Sequence, residues 1–153
     1  MNKEVKILNR GRREEIKELL KKKYDVEINE QYHLIQWAKD KLRIFTGDLN
    51  ANDLIRLNNL INIETIGLYF ASFDMNVFRL GFDASMIYGK NAKKNVILLD
   101  DIESVKWLYG QDILKETKEE GFVIMKNGDD ILGIGMATRK KILNFVPKER
   151  RTL

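Results

Sequence analysis

The sequence predicts an α+β protein: a small N-terminal α/β unit followed by a barrel-like unit of short strands. Three observations carry this prediction. An amphipathic helical pattern lies near the start of the chain. Short β-branched and aromatic runs, punctuated by Gly, Asn and Asp, fill most of the remainder. The pattern restarts near Asp74–Asn76, which divides the chain into 1–75 and 76–153. With 153 residues, 44% hydrophobic and 33% charged, the chain can bury one core or two small ones.

RREEIKELLKKKY sets Ile16, Leu19, Leu20 and Tyr24 at helical spacing. Glu14 and Glu15 would then occupy the first turn and Lys21, Lys22 and Lys23 the last, as the helix dipole prefers. Arg10, Arg13, Lys17 and Lys21 form a basic stripe if the helix begins at Arg10, and such a stripe is also what a solvated face looks like. YHLIQWA and KLRIFTG read as a hairpin around Lys39, Asp40 and Lys41. Asp48 or Asn50 can cap a short helix carrying Leu54, Ile55, Leu57 and Leu60. IETIGLYFASF is rich in strand formers and reads as a buried strand.

In the second unit VFRLGF is a strand, DASMIYG a short helix and NVILL a strand. Asp101 can cap a helical turn carrying Ile102, Val105, Trp107 and Leu108. GFVIMK and ILGIGMA flank NGDD, a hairpin signal. ILNFV is a last strand before Pro147. Many short strands with few helices point to a small β-barrel.

Several chemistries lack their residues. With no cysteine there is neither disulfide nor thiol nucleophile, which fits a reducing cytoplasm. No apolar run reaches the ~18 residues of a membrane span, and the first residues lack a signal-peptide core. His33 is the single histidine and sits in a strand pattern, where a core or edge position is expected. The pairs Asp100-Asp101 and Asp129-Asp130 fit caps and turns better than metal ligation. Gly133-Ile134-Gly135 lacks a dinucleotide fingerprint and suits a strand bulge, and GKNAKKN is an exposed basic loop, not a phosphate loop. The expectation is a chain with no metal site and no cofactor, and a nucleotide-dependent enzyme is disfavoured.

The net charge of +4 conceals three blocks. Residues 1–24 carry nine bases and four acids, 139–153 six bases and one acid, and the stretch between 12 bases and 18 acids. Basic ends suit a partner with phosphates, above all nucleic acid, or are solvated ends. The acidic middle suits a protein partner.

The second half resembles a PUA domain, a pseudo-barrel RNA-binding module, on VFRLGFDASMIYG and on GFVIMKNGDDILGIGMA. The last run holds a "Leu-Gly-x-Gly-x-Ala" strand at Leu132, Gly133, Ile134, Gly135, Met136 and Ala137. Over nearly the whole chain the motif order is similar to one family of two-domain proteins. These are the archaeal relatives of the Nip-seven factor of large ribosomal subunit biogenesis. Ile66, Gly67 and Phe70, then Phe78, Arg79 and Leu80, then Leu108, Tyr109, Gly110, Gln111, Asp112, Ile113, Leu114 and Lys115 carry that likeness. It departs at Gln111, after Lys140 and at VPKERRTL.

The resemblance implies a PUA-like pseudo-β-barrel over 76–153. It also implies a non-catalytic role: binding pre-ribosomal or U-rich single-stranded RNA, as a monomer that meets other assembly factors. By position the RNA-binding candidates are Arg139, Lys140, Lys141, Lys148, Arg150 and Arg151, with Tyr109 as a stacking candidate. Trp107 is expected in the core. Strand alternation would put Arg139 and Lys141 on one face and Lys140 on the other, favouring the first two. The competing readings are a protein-interaction adaptor and the RNA-targeting subunit of a modification enzyme.

Overall fold

The computed structural model describes residues 5–153. Its first sheet runs in the order β1-β2-β3-β4-β5, every neighbour antiparallel. The strands are β1 (Lys6–Ile7), β2 (His33–Ala38), β3 (Lys41–Phe45), β4 (Leu68–Asp74) and β5 (Val77–Leu80). Helix α1 (Arg10–Tyr24) connects β1 to β2, and α2 (Ala51–Leu60) connects β3 to β4. The second sheet has the order β6-β8-β9-β10-β7. It comprises β6 (Val96–Leu98), β7 (Ile113–Leu114), β8 (Gly121–Asn127), β9 (Asp130–Ala137) and β10 (Lys141–Asn144), with β6 parallel to β8. Helices α3 (Phe82–Tyr88) and α4 (Asp101–Leu108) complete an α+β fold. No helix among the described residues is long and apolar enough to cross a membrane.

Local chemistry sets the helix ends. Asn9 caps α1 by accepting from the Arg12 amide at 2.9 Å, and Asp25, at φ 55°, closes it in the left-handed region. The helix therefore starts at Arg10. That places Glu14 and Glu15 beyond the first turn, not in it, while Ile16, Leu20 and Tyr24 point inward. Asn50, not Asp48, caps α2. Asp100, not Asp101, caps α4: its carboxylate accepts from the Glu103 amide at 2.8 Å, and Glu103 accepts from the Asp100 amide at 3.0 Å. This reciprocal capping box needs a carboxyl three residues after the cap, which Asp101 lacks.

The strand expected over IETIGLYFASF begins only at Leu68. Gly67, at φ 65°, lies against the Ile44 carbonyl with no room for a Cβ. The Arg43 guanidinium ties down that approach, donating to the Ile66 and Gly67 carbonyls at 2.7 and 2.6 Å. The division expected between 75 and 76 falls inside a two-residue turn. Met75 and Asn76, both at positive φ, join β4 directly to β5 in the same sheet. The sheets part instead between β5 and β6. No sequence expectation corresponds to the short β7, which among the described residues pairs only with β10.

Two apolar clusters lie on opposite faces of β8. Phe122 and Ile124 join α1 and the first sheet in one core, with Ile16, Leu20, Tyr24 and Phe70. Val123 and Met125 face a second core around Trp107, Ile142 and Val146. Burial on both faces explains why GFVIMK is apolar without alternation. In β9 a register shift opposite Met125 and Lys126 forms the bulge expected at the glycine pair; Gly133 takes φ 100° there, against the Phe82 ring.

Tyr24 joins the two halves. It is fully buried, and its hydroxyl donates to the Phe122 carbonyl at 3.1 Å. Burial pushes that hydroxyl far above the ordinary tyrosine value. The unfolded chain releases this proton near pH 10 and the folded chain keeps it, so stability is intact below about pH 10 and lost above it. Urea unfolding from about pH 9 to 11 should show Tyr24 adding roughly 1.4 kcal/mol of loss per pH unit above its unfolded pKa. Tyr24→Phe should remove that increment while costing about 1 kcal/mol at neutral pH. Equal alkaline slopes for the two proteins would refute a buried neutral Tyr24.

Candidate nucleic-acid interface

The C-terminal cations form two groups at opposite ends of β10. The first is the β9–β10 turn. Thr138 closes it: its amide and hydroxyl donate to the Lys141 carbonyl at 2.9 and 2.8 Å, and its hydroxyl accepts from the Lys141 amide at 3.3 Å. Arg139 and Lys140 therefore lie in a turn, not a strand. The alternation expected to set Lys140 apart does not operate, and Arg139, Lys140 and Lys141 are all exposed. None makes an ion pair among the described residues.

Arg139 and Lys140 line an open groove of about 500 Å³ with Glu116, Thr117 and Lys118. Lys118 escaped the sequence reading because it comes from the loop between β7 and β8, twenty-odd residues earlier. Only the fold brings it to the turn. Three cations around one carboxylate suit a polyanion, and arginine adds a planar fork for phosphate or a stacking face for a base.

The second group is the tail, and much of it is already engaged. Arg150 pairs with Asp83 at 2.8 Å and lies 5.8 Å from the Phe82 ring centre. Arg151 is partly buried and donates from Nε to the Val146 carbonyl at 3.0 Å. Its side chain lies over Gly110, which at φ 89° leaves no room for a Cβ. The Thr152 amide donates to the Leu108 carbonyl at 2.8 Å. Lys148 is exposed. Tyr109, half-exposed, follows α4 beside Gly110, so the tail brings Arg151 next to that stacking candidate.

Asn144 anchors this end of the sheet. Its side-chain amide donates to the Trp107 and Gln111 carbonyls at 2.7 and 3.0 Å, and its own amide donates to Asp112 at 2.8 Å. Trp107 is fully buried, as expected. His33 opens β2 opposite Phe45 and is partly exposed.

With α1 starting at Arg10, Arg10, Arg13, Lys17 and Lys21 share the expected stripe, and two of the four are engaged. Arg13 lies 5.9 Å from the Tyr32 ring centre, and Lys21 pairs with Asp25 and Glu27 at 2.6 and 3.2 Å. Hydrogen bonds to Asp25 and Glu27 raise the Lys21 ammonium above its usual range. No group of three or more His, Cys, Asp or Glu able to hold a metal ion occurs among the described residues.

No curated protein matches the chain. Residues 94–152 match the family described as the methyltransferase RsmF PUA domain. The match begins just before β6 and takes in the whole second sheet, α4, the β9–β10 turn and the tail. The chain is a PUA-containing protein, with that domain built on its second sheet.

Proposed function

We propose that the chain binds single-stranded RNA through its PUA domain, at the exposed β9–β10 turn, with the tail and Tyr109 as an adjoining contact. The observation that carries this reading is the placement of Arg139, Lys140 and Lys141, exposed and without ion pairs among the described residues, inside the PUA match. Such cations neutralise phosphates and release counterions, giving affinity with little sequence preference. The Nip-seven-like motif order supports a non-catalytic part in ribosome biogenesis and pre-rRNA processing, as a monomer among other assembly factors.

Crosslinking in cell extract followed by sequencing of the attached RNA tests the assignment. Reads on pre-ribosomal RNA are the expected result. In vitro, about four neutralised phosphates should give a slope near −2.8 for log K against log salt. Affinity independent of salt would sink the reading.

The match to the PUA domain of a methyltransferase favours a second reading, in which this chain directs an RNA-modifying enzyme to its substrate. Crosslinks confined to transfer RNA, with a methyltransferase co-purifying after nuclease treatment, would select it.

A further inference from the structure

Outside the turn and the tail, a further group of cations lies where α1 ends against the loop before β6. The amides of Lys93 and Lys94 donate to the Tyr24 carbonyl at 3.0 and 3.4 Å, and the Asn95 side chain donates to the Lys23 carbonyl at 2.6 Å. These bonds pin a lysine-rich loop to the lysine-rich last turn of a helix. The helix dipole accounts for Lys21, Lys22 and Lys23 at that end. It does not account for Lys93 and Lys94, which arrive from the other half of the chain and add like charge, at a Coulomb cost unless an anion is shared.

The nearby acids are already committed. Asp25 and Glu27 hold Lys21. The Asp25 carboxyl sits below its usual range, first through the hydrogen bond from Lys21 and then through nearby charges that include Lys93 and Lys94. Lys22, Lys93 and Lys94 are exposed and make no ion pair among the described residues.

A row of cations over aromatic rings leads away from this cluster. Lys23 Nζ lies 5.3 Å from the Phe122 ring centre and donates to the Phe78 carbonyl at 2.8 Å; the Arg79 guanidinium lies 5.6 Å from Phe122 and 5.3 Å from Phe145 and pairs with Asp74 at 3.0 Å, so these two cations are held over the core edge and only mark the route. Phe122, buried in the first core, and the partly exposed Met136 and Leu143 form one cross-strand row, and Lys141 lies two residues before Leu143 on the same face of β10. Crossing from β8 to β10 covers only about 10 Å. The row ends at the β9–β10 turn.

We propose that Lys22, Lys93 and Lys94 form a second phosphate-binding surface for single-stranded RNA, reached by a strand that leaves the β9–β10 turn along this row. The proposal rests on the RNA-binding reading above. Fluorescence anisotropy with two oligouridylates tests it, one long and one too short to span both surfaces. The variants are Lys22→Ala/Lys93→Ala/Lys94→Ala and Arg139→Ala/Lys140→Ala/Lys141→Ala.

The lysine variant should bind the long oligomer about a hundredfold more weakly at 0.1 M salt, with a salt slope flatter by about 2, and bind the short one as the parent does. Unchanged binding of the long oligomer by the lysine variant, with loss in the turn variant, overturns the second surface and leaves the RNA reading standing. No RNA binding by the parent chain overturns both. Unchanged RNA binding together with lost affinity for phosphatidylserine vesicles replaces the proposal with a membrane contact.

Discussion

Replacing Trp107 with alanine should lower the stability of the folded chain by about 3–5 kcal/mol. The indole is fully buried and is the largest side chain so enclosed. Its Nε1 donates to the Leu132 carbonyl at 2.8 Å, beside the bulge in β9. A Cβ at Gly135 would lie 2.7 Å from the ring, so the glycine makes the space that the ring fills. Truncation leaves a cavity under α4 and strips a buried carbonyl of its donor. A domain of this size has ~5–15 kcal/mol to lose, so the variant should unfold at much lower urea. Trp107→Phe keeps most of the volume and loses the hydrogen bond, and should cost only about 1–3 kcal/mol. If the alanine variant loses less than about 1 kcal/mol, the second core is not organised around Trp107.

The second large effect is on binding. Arg139→Ala/Lys140→Ala/Lys141→Ala should weaken single-stranded RNA binding about a hundredfold at 0.1 M salt, since each phosphate contact adds about 0.7 to the salt slope. The loss should be similar for all sequences, because phosphate contacts carry no base identity. Stability should change by less than ~0.5 kcal/mol, these side chains being exposed and free of ion pairs among the described residues. The tail cannot be tested so cleanly. Arg150 holds Asp83 and Arg151 holds the Val146 carbonyl, so their removal mixes lost binding with loosened packing. Full affinity in the turn variant would move the site to the tail and Tyr109.

Local signals were read correctly where one residue's chemistry suffices. The hairpin around Gly128 and Asp129, the bulge at Gly133 and the inward face Ile16, Leu20 and Tyr24 all follow from neighbours a few positions apart. The cap of α4 lies one residue before the expected Asp101, and that of α2 is one of the two expected, because Asp100 and Asp101, like Asp48 and Asn50, are equally able acceptors. Which one caps depends on where the chain turns into the helix. The apparent restart at Asp74–Asn76 was a tight hairpin. A turn signal marks a reversal and does not say whether the next strand pairs back into the same sheet.

The candidate site divides the same way. Composition placed the cations near the chain end, and the motif order pointed to a PUA domain. The sequence by itself thus determined the class of fold, the burial of Trp107 and the basic blocks, because these depend on residue type and short-range spacing. Only the tertiary structure decided which cations are available. It ties Arg150 to Asp83 and lays Arg151 on Gly110; it also brings Lys118 to the β9–β10 turn and sets Lys93 and Lys94 against the end of α1. Charge is a property of the residue. Its availability to a ligand depends on partners far away in the chain, which only chain packing brings within hydrogen-bonding distance.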